Sequence, residues 1–391
     1  MNPRTICIMG RLLDQEDGLG VYSSNLLRNL FDLDRDSRYL VLLRTNKCAG
    51  LFESYPNVQT RVIPSRSKLW WDQVSVPRAA RRAGADIIFN PKFSLPLLSR
   101  IPGVFVLHGS DWYINPGNYT WWDNIYIRVM MPIYIRKAAR LLSISQVAID
   151  DLVKYAGLDP RKVRPSYGAA SAHFRPVKDR KSLREFAERY RLPERFILTV
   201  GRVYHTGHDR LDEYPGGNNE RLILGFRLYH ERVGKLPLVV IGRDIEKYLR
   251  SHGFDDAALK GVHFTGFIPN VEIVNAYNLA EFFVLATLYE SFPLPLIEAM
   301  ACGCPAMVPS TGGCPELAQG AARLIDPLDV QSIASGLLEL ERSEDLRTQM
   351  GAAGLERAKM FSWRRTAEVT LRILDEVAPR VKAGALREEG S

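Results

Sequence analysis

The sequence predicts an α/β protein built from two Rossmann-like halves. Short apolar, strand-like runs alternate with helical patterns along most of the chain, which is typical of a doubly wound parallel sheet. A polar, charged stretch at residues 175–193 interrupts this alternation and separates one series from the other. The length of 391 residues also fits two domains.

In the first series, each strand is a short apolar run and each helix carries apolar residues at helical spacing. The predicted strands are Thr5–Met9, Tyr39–Leu43, Asp86–Phe89, Val104–Leu107 and Leu141–Ser145. The predicted helices are Val21–Phe31, Trp71–Ala83 and Trp122–Ala139, with Pro132 bending the last one. A loop, Gly10–Gly20, joins the first strand to the first helix.

The second series begins after the charged stretch and follows the same rules. Its predicted strands are Phe196–Val200, Leu238–Ile241, His263–Phe264, Phe282–Ala286, Ala306–Val308 and Ala322–Ile325. Its predicted helices are Glu220–Gly234, Val271–Leu279 and Val330–Leu340, together with one that ends at Gly303. Residues 383–391 at the C-terminus are expected to be disordered.

Composition narrows the class of protein. No apolar run reaches the ~18 residues that a membrane helix needs, and the N-terminus lacks the long apolar core of a secretory signal. The five cysteines are odd in number and scattered, so reduced thiols are expected. These features predict a cytoplasmic protein.

The net charge of +8 fits an anionic substrate or an anionic membrane surface. Nucleic acid is not an expected partner, because no nucleic-acid-binding motif accompanies the charge. The first half carries many cations: Arg66, Lys68, Arg78, Arg81, Arg82, Arg128, Arg136, Lys137 and Arg140. Aromatic residues lie among them: Trp70, Trp71, Trp121, Trp122, Tyr126 and Tyr134. This face suits a peripheral membrane contact through the N-terminal half, and a solvated helix face over an aromatic core is the alternative.

The most informative segment is Glu290–Glu316, ESFPLPLIEAMACGCPAMVPSTGGCPE, which follows an apolar strand. Ligands of parallel α/β sheets bind after a strand and at the start of the next helix, where free N–H groups suit phosphate. Glu290 and Glu298 lie eight positions apart at this junction. Carboxylates repel phosphate, so they are better suited to neutral hydroxyls. Phosphate and hydroxyl groups together describe a nucleotide-sugar site.

The pattern E-S-F-x-L-P-L-x-E-A-M-A-C-G-x-P resembles the signature of retaining GT-B glycosyltransferases of the glycosyltransferase 4 group, with about a dozen positions in register. The resemblance implies two Rossmann-like domains facing across a cleft. Residues 1–178 would form the acceptor-binding domain and residues 193–362 the nucleotide-sugar-binding domain. A C-terminal helix, residues 363–382, would return to the first domain.

By the same resemblance, Glu298 would hold ribose hydroxyls, and Glu290 would contact the donor sugar and act in catalysis. The backbone of Ser291, Phe292, Pro293 and Leu294 would lie against the diphosphate. Relatives usually have glycine where this chain has Pro293, which supplies no N–H group. The loop Gly312–Glu316 would shape the donor pocket.

Further roles follow from the resemblance. Arg202 would bind the diphosphate and act in catalysis, but the lysine that usually accompanies it aligns with Gly217. His108, the third predicted catalytic residue, would approach the donor sugar. The glycine-rich loop with Gly18 and Gly20 would let backbone approach the ligand, and Phe267 would contact the base.

No metal and no cofactor are expected beyond the nucleotide sugar as co-substrate. Asp32-Leu33-Asp34 matches a metal-binding Asp-x-Asp pattern, but it follows the first helix and is interpreted as a turn. His205, His208 and Asp209 could suggest a metal site, but no further ligands follow at helical spacing, so no metal is expected there.

The resemblance implies a retaining transferase that moves a sugar from a nucleoside-diphosphate sugar to a hydroxyl of a glycan or lipid-linked acceptor. Synthesis of cell-surface polysaccharide or glycoconjugate at the inner face of the membrane would use such an enzyme. Pro293 and Gly217 leave a second class open, a nucleotide-sugar-binding protein without turnover. A third is another kind of GT-B enzyme, such as an epimerase or a phosphorylase.

Overall fold

The computed structural model describes residues 3–15, 18–206, 210–213, 217–232 and 234–379. These residues cluster into two compact units. The first unit takes the described residues within Met1–Ser110, Thr120–Gly168 and Ser362–Ser391. The second takes those within Asp111–Tyr119 and Ala169–Phe361. Each unit is therefore discontinuous in sequence.

The first unit is built on a parallel sheet of seven strands in the order β3-β2-β1-β4-β5-β6-β7. The strands are β1 (Thr5–Met9), β2 (Arg38–Leu43), β3 (Val58–Val62), β4 (Ile87–Asn90), β5 (Gly103–Leu107), β6 (Arg140–Ser143) and β7 (Val163–Pro165). Its helices are α1 (Gly18–Leu33), α2 (Lys68–Trp70), α3 (Val76–Arg82), α5 (Trp121–Lys137), α6 (Gln146–Ala156) and α15 (Trp363–Val377). The strand order reverses between β1 and β4, where Ile6–Ile8 pair with Ile87–Phe89.

Helix α15 packs against α1 within the first unit. Its buried residues repeat at helical spacing: Trp363, Thr366, Ala367, Thr370, Ile373 and Leu374. A buried arginine, Arg4, ties the end of this helix to the start of β1. Its guanidinium donates to the Asp375 carboxylate at 2.7 Å and to the Ala378 carbonyl at 2.8 Å.

The second unit is built on a parallel sheet of six strands in the order β12-β11-β8-β13-β14-β15, with a separate hairpin of β9 and β10. The strands are β8 (Ile197–Val200), β9 (Val203–Thr206), β10 (Arg210–Glu213), β11 (Leu238–Ile241), β12 (Val262–Gly266), β13 (Phe282–Val284), β14 (Ala306–Pro309) and β15 (Arg323–Ile325). The helices are α4 (Asp111–Ile114), α7 (Arg180–Arg189), α8 (Asn219–Glu231), α9 (Ile245–Ser251), α10 (Asn270–Leu279), α11 (Leu294–Cys302), α12 (Cys314–Ala318), α13 (Val330–Arg342) and α14 (Glu344–Ala358). The α/β prediction is confirmed.

Two details of the predicted first unit are wrong. Gly18 and Gly20 lie in the first turn of α1 rather than in a loop before it. The segment predicted as one α-helix, Trp71–Ala83, begins as a π-helical turn, Trp71–Ser75, which continues from α2 and leads into α3. The expectation for Ala383–Ser391 lies outside the described residues.

None of the helices in the described ranges combines the length and the apolarity that crossing a membrane requires. All five cysteines are free thiols, and four of them are buried.

Candidate functional site

The candidate site of the second unit lies where its strand order reverses. β8 and β13 are neighbours at the centre of the sheet, with β11 on one side and β14 on the other. Ligands of open α/β sheets bind outside the carboxyl ends of the strands at such a reversal. Arg202 follows β8 by two residues, and Glu290 follows β13 by six. The predicted site residues Arg202 and Glu290 therefore follow the two adjacent strands, β8 and β13, between which the strand order reverses.

Helix α11 follows Glu290 and carries Glu298 as its fifth residue. Pro293 is the N-cap and Pro295 lies in the first turn, so neither offers an amide N–H group. Leu296 donates its amide to the Pro293 carbonyl at 3.1 Å. The helix ends at Gly303, with φ 74°, as the sequence predicted. The start of α11 therefore presents fewer amide donors to an anion than an ordinary helix does.

Glu298 is half-buried beside an aromatic wall. Tyr277 of α10 is only 1% exposed, and its hydroxyl donates to Glu298 Oε2 at 3.4 Å. Phe283 and Phe174 pack edge-on against the Tyr277 ring. Burial raises the pKa of Glu298 to about 7, and the Tyr277 hydroxyl opposes this rise. A carboxylate in this position gains stability from any ligand hydroxyl that donates to it.

Glu290 lies in a mixed electrostatic environment. Burial raises its pKa to about 7, while the Thr287 hydroxyl and the positive charge of Arg202 lower it. The negative charge of Asp111 raises the pKa of Glu290 further. Arg202 and Asp111 therefore act on the same carboxyl group. The structure brings the predicted residues Arg202 and Glu290 together.

Asp111 is a site residue to which the sequence pattern assigned no role. It begins α4, and its carboxylate accepts hydrogen bonds from Asn115 Nδ2 at 2.7 Å and from the Tyr119 hydroxyl at 2.8 Å. Burial raises its pKa. The segment Asp111–Tyr119 belongs to the second unit although its sequence neighbours belong to the first. No local pattern marks that change of unit.

A glycine pair fixes the backbone that carries Glu290. Gly313 donates its amide to the Glu290 carbonyl at 2.8 Å. A Cβ atom on Gly313 would lie 2.2 Å from the Ser291 carbonyl oxygen, and one on Gly312 would lie 2.5 Å from that of Glu290. Gly312 also has a φ of +59°. The Gly312-Gly313 loop therefore packs directly on Glu290 and Ser291, and its role in a donor pocket stays a prediction.

The remaining predicted donor contacts lie elsewhere in the second unit. Phe267 follows β12, is 60% exposed, and has the Arg243 guanidinium 5.1 Å from its ring centroid. Gly217 precedes α8, next to Asn218, whose buried amide donates to the carbonyls of Ala286 at 2.8 Å and Pro327 at 2.7 Å. Phe292 packs edge-on against Phe361. The role of each as a ligand contact stays a prediction.

In the first unit, His108 follows β5 and is held in one orientation. Its Nε2 lies 2.5 Å from the Pro91 carbonyl oxygen. A carbonyl only accepts, so Nε2 carries the hydrogen. The Tyr22 ring of α1 packs edge-on at 4.8 Å between centroids. These contacts fix the imidazole that was predicted to approach the donor sugar.

Gly20 has a packing reason within the first unit. A Cβ atom at this position would lie 1.9 Å from the Gln15 carbonyl oxygen. Gln15, which follows the short helical turn Arg11–Asp14, thus lies too close to α1 for a side chain at position 20. Gly18 is exposed at the start of the same helix. Contact of either residue with a ligand stays a prediction.

Within the described ranges, no group of three or more His, Cys, Asp and Glu side chains is arranged to hold a metal ion. Asp34 of the Asp-x-Asp pattern is buried and accepts from Arg4 and from the Tyr39 hydroxyl at 2.8 Å. Asp32 pairs with Arg35 at 3.0 Å. The side chain of His205, together with His208 and Asp209, lies outside the described part of the chain.

Glu298→Gln is expected to change how stability depends on pH. The raised pKa, about 7 against an ordinary 4.5, means that the folded protein keeps a proton that the unfolded chain releases first. The parent therefore loses stability as pH rises through this window, and the variant does not. We expect the stability of the variant relative to the parent to increase by about 1–3 kcal/mol between pH 4.5 and pH 8.

Urea unfolding of the ligand-free proteins at both pH values measures this difference. Glu188→Gln, at an exposed position on α7, is the matched control and should show no such change. Equal pH profiles for the parent and Glu298→Gln would contradict the burial argument.

Comparison with known families gives two matches, one in each half of the chain. The family model described as Glycosyltransferase Family 4 matches residues 17–167. The model described as Glycosyl transferases group 1 matches residues 184–357. Together they cover the second sheet and all strands of the first sheet except β1.

Among curated proteins, the serotype-specific mannosyltransferase WbdA of Escherichia coli is 26% identical over 244 residues, 60% of this chain and 28% of WbdA. The chain therefore spans less than a third of the length of this relative. Mannosylfructose-phosphate synthase of Agrobacterium fabrum is 26% identical over 265 residues, 62% of this chain and 54% of the synthase.

Among solved structures, HepE of Anabaena in complex with UDP-glucose superposes with a TM-score of 0.74 at 17% identity. The match covers 95% of this chain and 99% of HepE. At this identity the likeness concerns the fold, which is an α/β fold with two parallel sheets and alternating helices.

Proposed function

Because this chain belongs to the glycosyltransferases of the glycosyltransferase 4 type and has their α/β fold of two parallel sheets, we propose that it is a retaining hexosyltransferase. It would move a sugar from a nucleoside-diphosphate donor to a hydroxyl of a glycan or lipid-linked acceptor. The reaction would serve polysaccharide or glycoconjugate synthesis at the inner face of a membrane. Similarity to mannosyltransferases and to a structure solved in complex with UDP-glucose supports sugar transfer from a nucleotide sugar.

The observation that carries the proposal is the convergence at the central strands of the second sheet. Arg202 and Glu290 follow adjacent strands, and the charge of Arg202 acts on the Glu290 carboxyl. Glu298 follows within α11 beside Tyr277. One cation and two half-buried acids fit one diphosphate and two sets of hydroxyls, those of ribose and of the donor sugar.

Each residue then has a physical task. Arg202 would stabilise the negative charge that grows on the diphosphate as the sugar departs. Glu298 would accept hydrogen bonds from the ribose, and Glu290 would accept them from the donor sugar. A buried carboxylate left without such partners costs roughly 1–3 kcal/mol, so Glu290 would select sugars by their hydroxyl pattern.

For retention, the departing phosphate oxygen would itself accept the proton of the acceptor hydroxyl. His108 has Nε2–H committed to Pro91, so its Nδ1 is the ring atom suited to accept from a sugar hydroxyl. The reaction as proposed uses no metal. Closure around the donor would exclude water and limit hydrolysis.

One observation favours a second candidate function, nucleotide-sugar binding without turnover. Pro293 caps α11 without an N–H group, and Gly217 stands where the family resemblance implies a lysine. Both changes remove groups that would bind phosphate. Such a protein would bind the donor and leave it intact in the presence of every acceptor.

A thermal-shift screen with UDP, GDP and ADP, and then with their sugars, tests the binding part of the proposal. A ligand at about 100 times its Kd is expected to stabilise the protein by ~2.7 kcal/mol. Glu298→Ala should lose this shift, whereas Glu188→Ala should keep it. Absence of a shift with every nucleotide would reject both candidate functions.

Acceptor-dependent consumption of the donor then separates the two candidates. Consumption with release of nucleoside diphosphate supports the transferase. Binding without consumption by any lipid-linked or soluble glycan supports the second candidate. Retention is read from the anomeric configuration of the product by NMR.

A further inference from the structure

Helix α5 of the first unit is apolar on two opposite sides. One side packs into the unit through Ile127, Met131, Tyr134 and Ile135. The other side is exposed and carries large apolar residues at helical spacing: Trp121, Trp122, Ile125, Tyr126, Val129 and Ile133. Helices that are apolar all round are normally covered on every side. The second side of α5 therefore lacks the cover that its composition calls for.

Neighbouring elements extend this exposed surface. Leu69 and Trp70 of α2 are 61% and 56% exposed, and Leu98 is 92% exposed. Lys137 at the end of α5 donates to the Ser99 carbonyl at 2.6 Å, which places the loop of Leu98 next to that helix. Gln73 donates to the Leu95 carbonyl at 3.1 Å, which joins this loop to the turn after α2. We call these nine exposed residues the α5 face.

The charges around the α5 face have one dominant sign. Residues 66–70 and 121–137 contain five cations and one acid: Arg66, Lys68, Arg128, Arg136, Lys137 and Asp123. Two copies of this chain packed through the face would bring these cations together, which disfavours a dimer. Tryptophan and tyrosine beside lysine and arginine are the composition of a surface that enters the headgroup region of an anionic bilayer.

We propose that the α5 face docks the protein onto an anionic lipid bilayer, with α5 lying in the plane of the interface. The exposed aromatic and aliphatic side chains enter the boundary between headgroups and acyl chains, and the flanking cations contact lipid phosphates. The docking adds a partner to the proposed transferase and names the surface that would bring it to a lipid-linked acceptor. It rests on the surface alone, so either proposal can fail without the other.

Flotation of the full chain with vesicles tests the docking. Vesicles of phosphatidylcholine with about 30% phosphatidylglycerol should carry the protein, and phosphatidylcholine alone should carry at least tenfold less. Raising the salt concentration should weaken the binding, because it screens the charges. Three of the six tryptophans lie on the α5 face, so their emission should shift to the blue on binding.

The triple variant Trp121→Ser, Trp122→Ser, Ile125→Ser is expected to lower binding to anionic vesicles at least tenfold. These side chains are 48–64% exposed, so the fold and the nucleotide thermal shift should be retained. The matched control is Val271→Ser with Leu328→Ser, which removes apolar groups of similar exposure, 66% and 63%, from the second unit. That control should float like the parent.

Three outcomes would overturn the proposal. One is the absence of binding to anionic vesicles, and another is equal binding to vesicles without anionic lipid. The third is that the parent is a dimer by analytical ultracentrifugation, the triple variant is a monomer, and neither protein floats with vesicles. A parent that floats but binds no nucleotide would reject the proposed function and leave the docking intact.

Discussion

Arg202→Ala is expected to lower kcat by about 10²–10³, because the proposed function assigns this cation to the departing diphosphate. The same change removes a charge that lowers the pKa of Glu290. Glu290 will then be protonated to a greater extent at neutral pH, and the rate should show a shifted dependence on pH. Steady-state donor consumption, with an acceptor that supports turnover by the parent protein, measures both effects.

Arg202→Lys and Arg227→Ala are the comparison variants. Lysine keeps the charge but not the planar fork, so an intermediate loss is expected. Arg227 is exposed on α8, and its removal should leave kcat unchanged. Unchanged turnover in Arg202→Ala and in Glu298→Ala would show that the site has been placed wrongly.

Arg4→Ala is expected to destabilise the first unit by about 3–5 kcal/mol, because it leaves the carboxylate of Asp34 buried without its cation. Asp34 is fully buried and lies 3.4 Å from the Arg4 guanidinium. The variant also loses the hydrogen bonds to Asp375 and to the Ala378 carbonyl at the end of α15. Urea unfolding measures the free energy, and hydrogen exchange of α15 amides reports whether that helix loosens.

Asp375→Ala removes only the contact of Arg4 with α15 and leaves the Arg4–Asp34 pair in place. Asp375 is 38% exposed, so water replaces much of what it provides, and a loss of about 1 kcal/mol or less is expected. If Arg4→Ala and Asp375→Ala lower the free energy of unfolding equally, the contact of Arg4 with the end of α15 would account for the stability. The pairing of Arg4 with buried Asp34 would then contribute little.

The part of the site that the sequence could predict is the part with local causes. Gly303 ends α11 because glycine adopts its positive φ without strain. The identity of this single residue is enough to predict the end of the helix. Glu290 and Glu298 are placed by the strand and helix that immediately precede and contain them. The alternation of apolar runs predicted the two parallel sheets for the same reason.

The parts that the sequence could not predict depend on distant residues. β3 reads VQTRV, an alternating edge strand whose pairing with β2 is not visible in its composition. Gly20 was assigned to a glycine-rich loop before the first helix, but it lies within α1, where the lack of a side chain admits the Gln15 carbonyl. Asp111 was missed because its segment packs with the second unit, whereas the residues directly before and after that segment belong to the first.

The buried network of Arg4 also constrains the order in which this protein can be completed. Arg4 and Asp34 leave the ribosome more than 300 residues before Asp375. Until then α1 lacks the helix that covers it, so the first unit cannot finish folding before the second has been synthesised. The first unit is therefore completed only after the second unit has been synthesised.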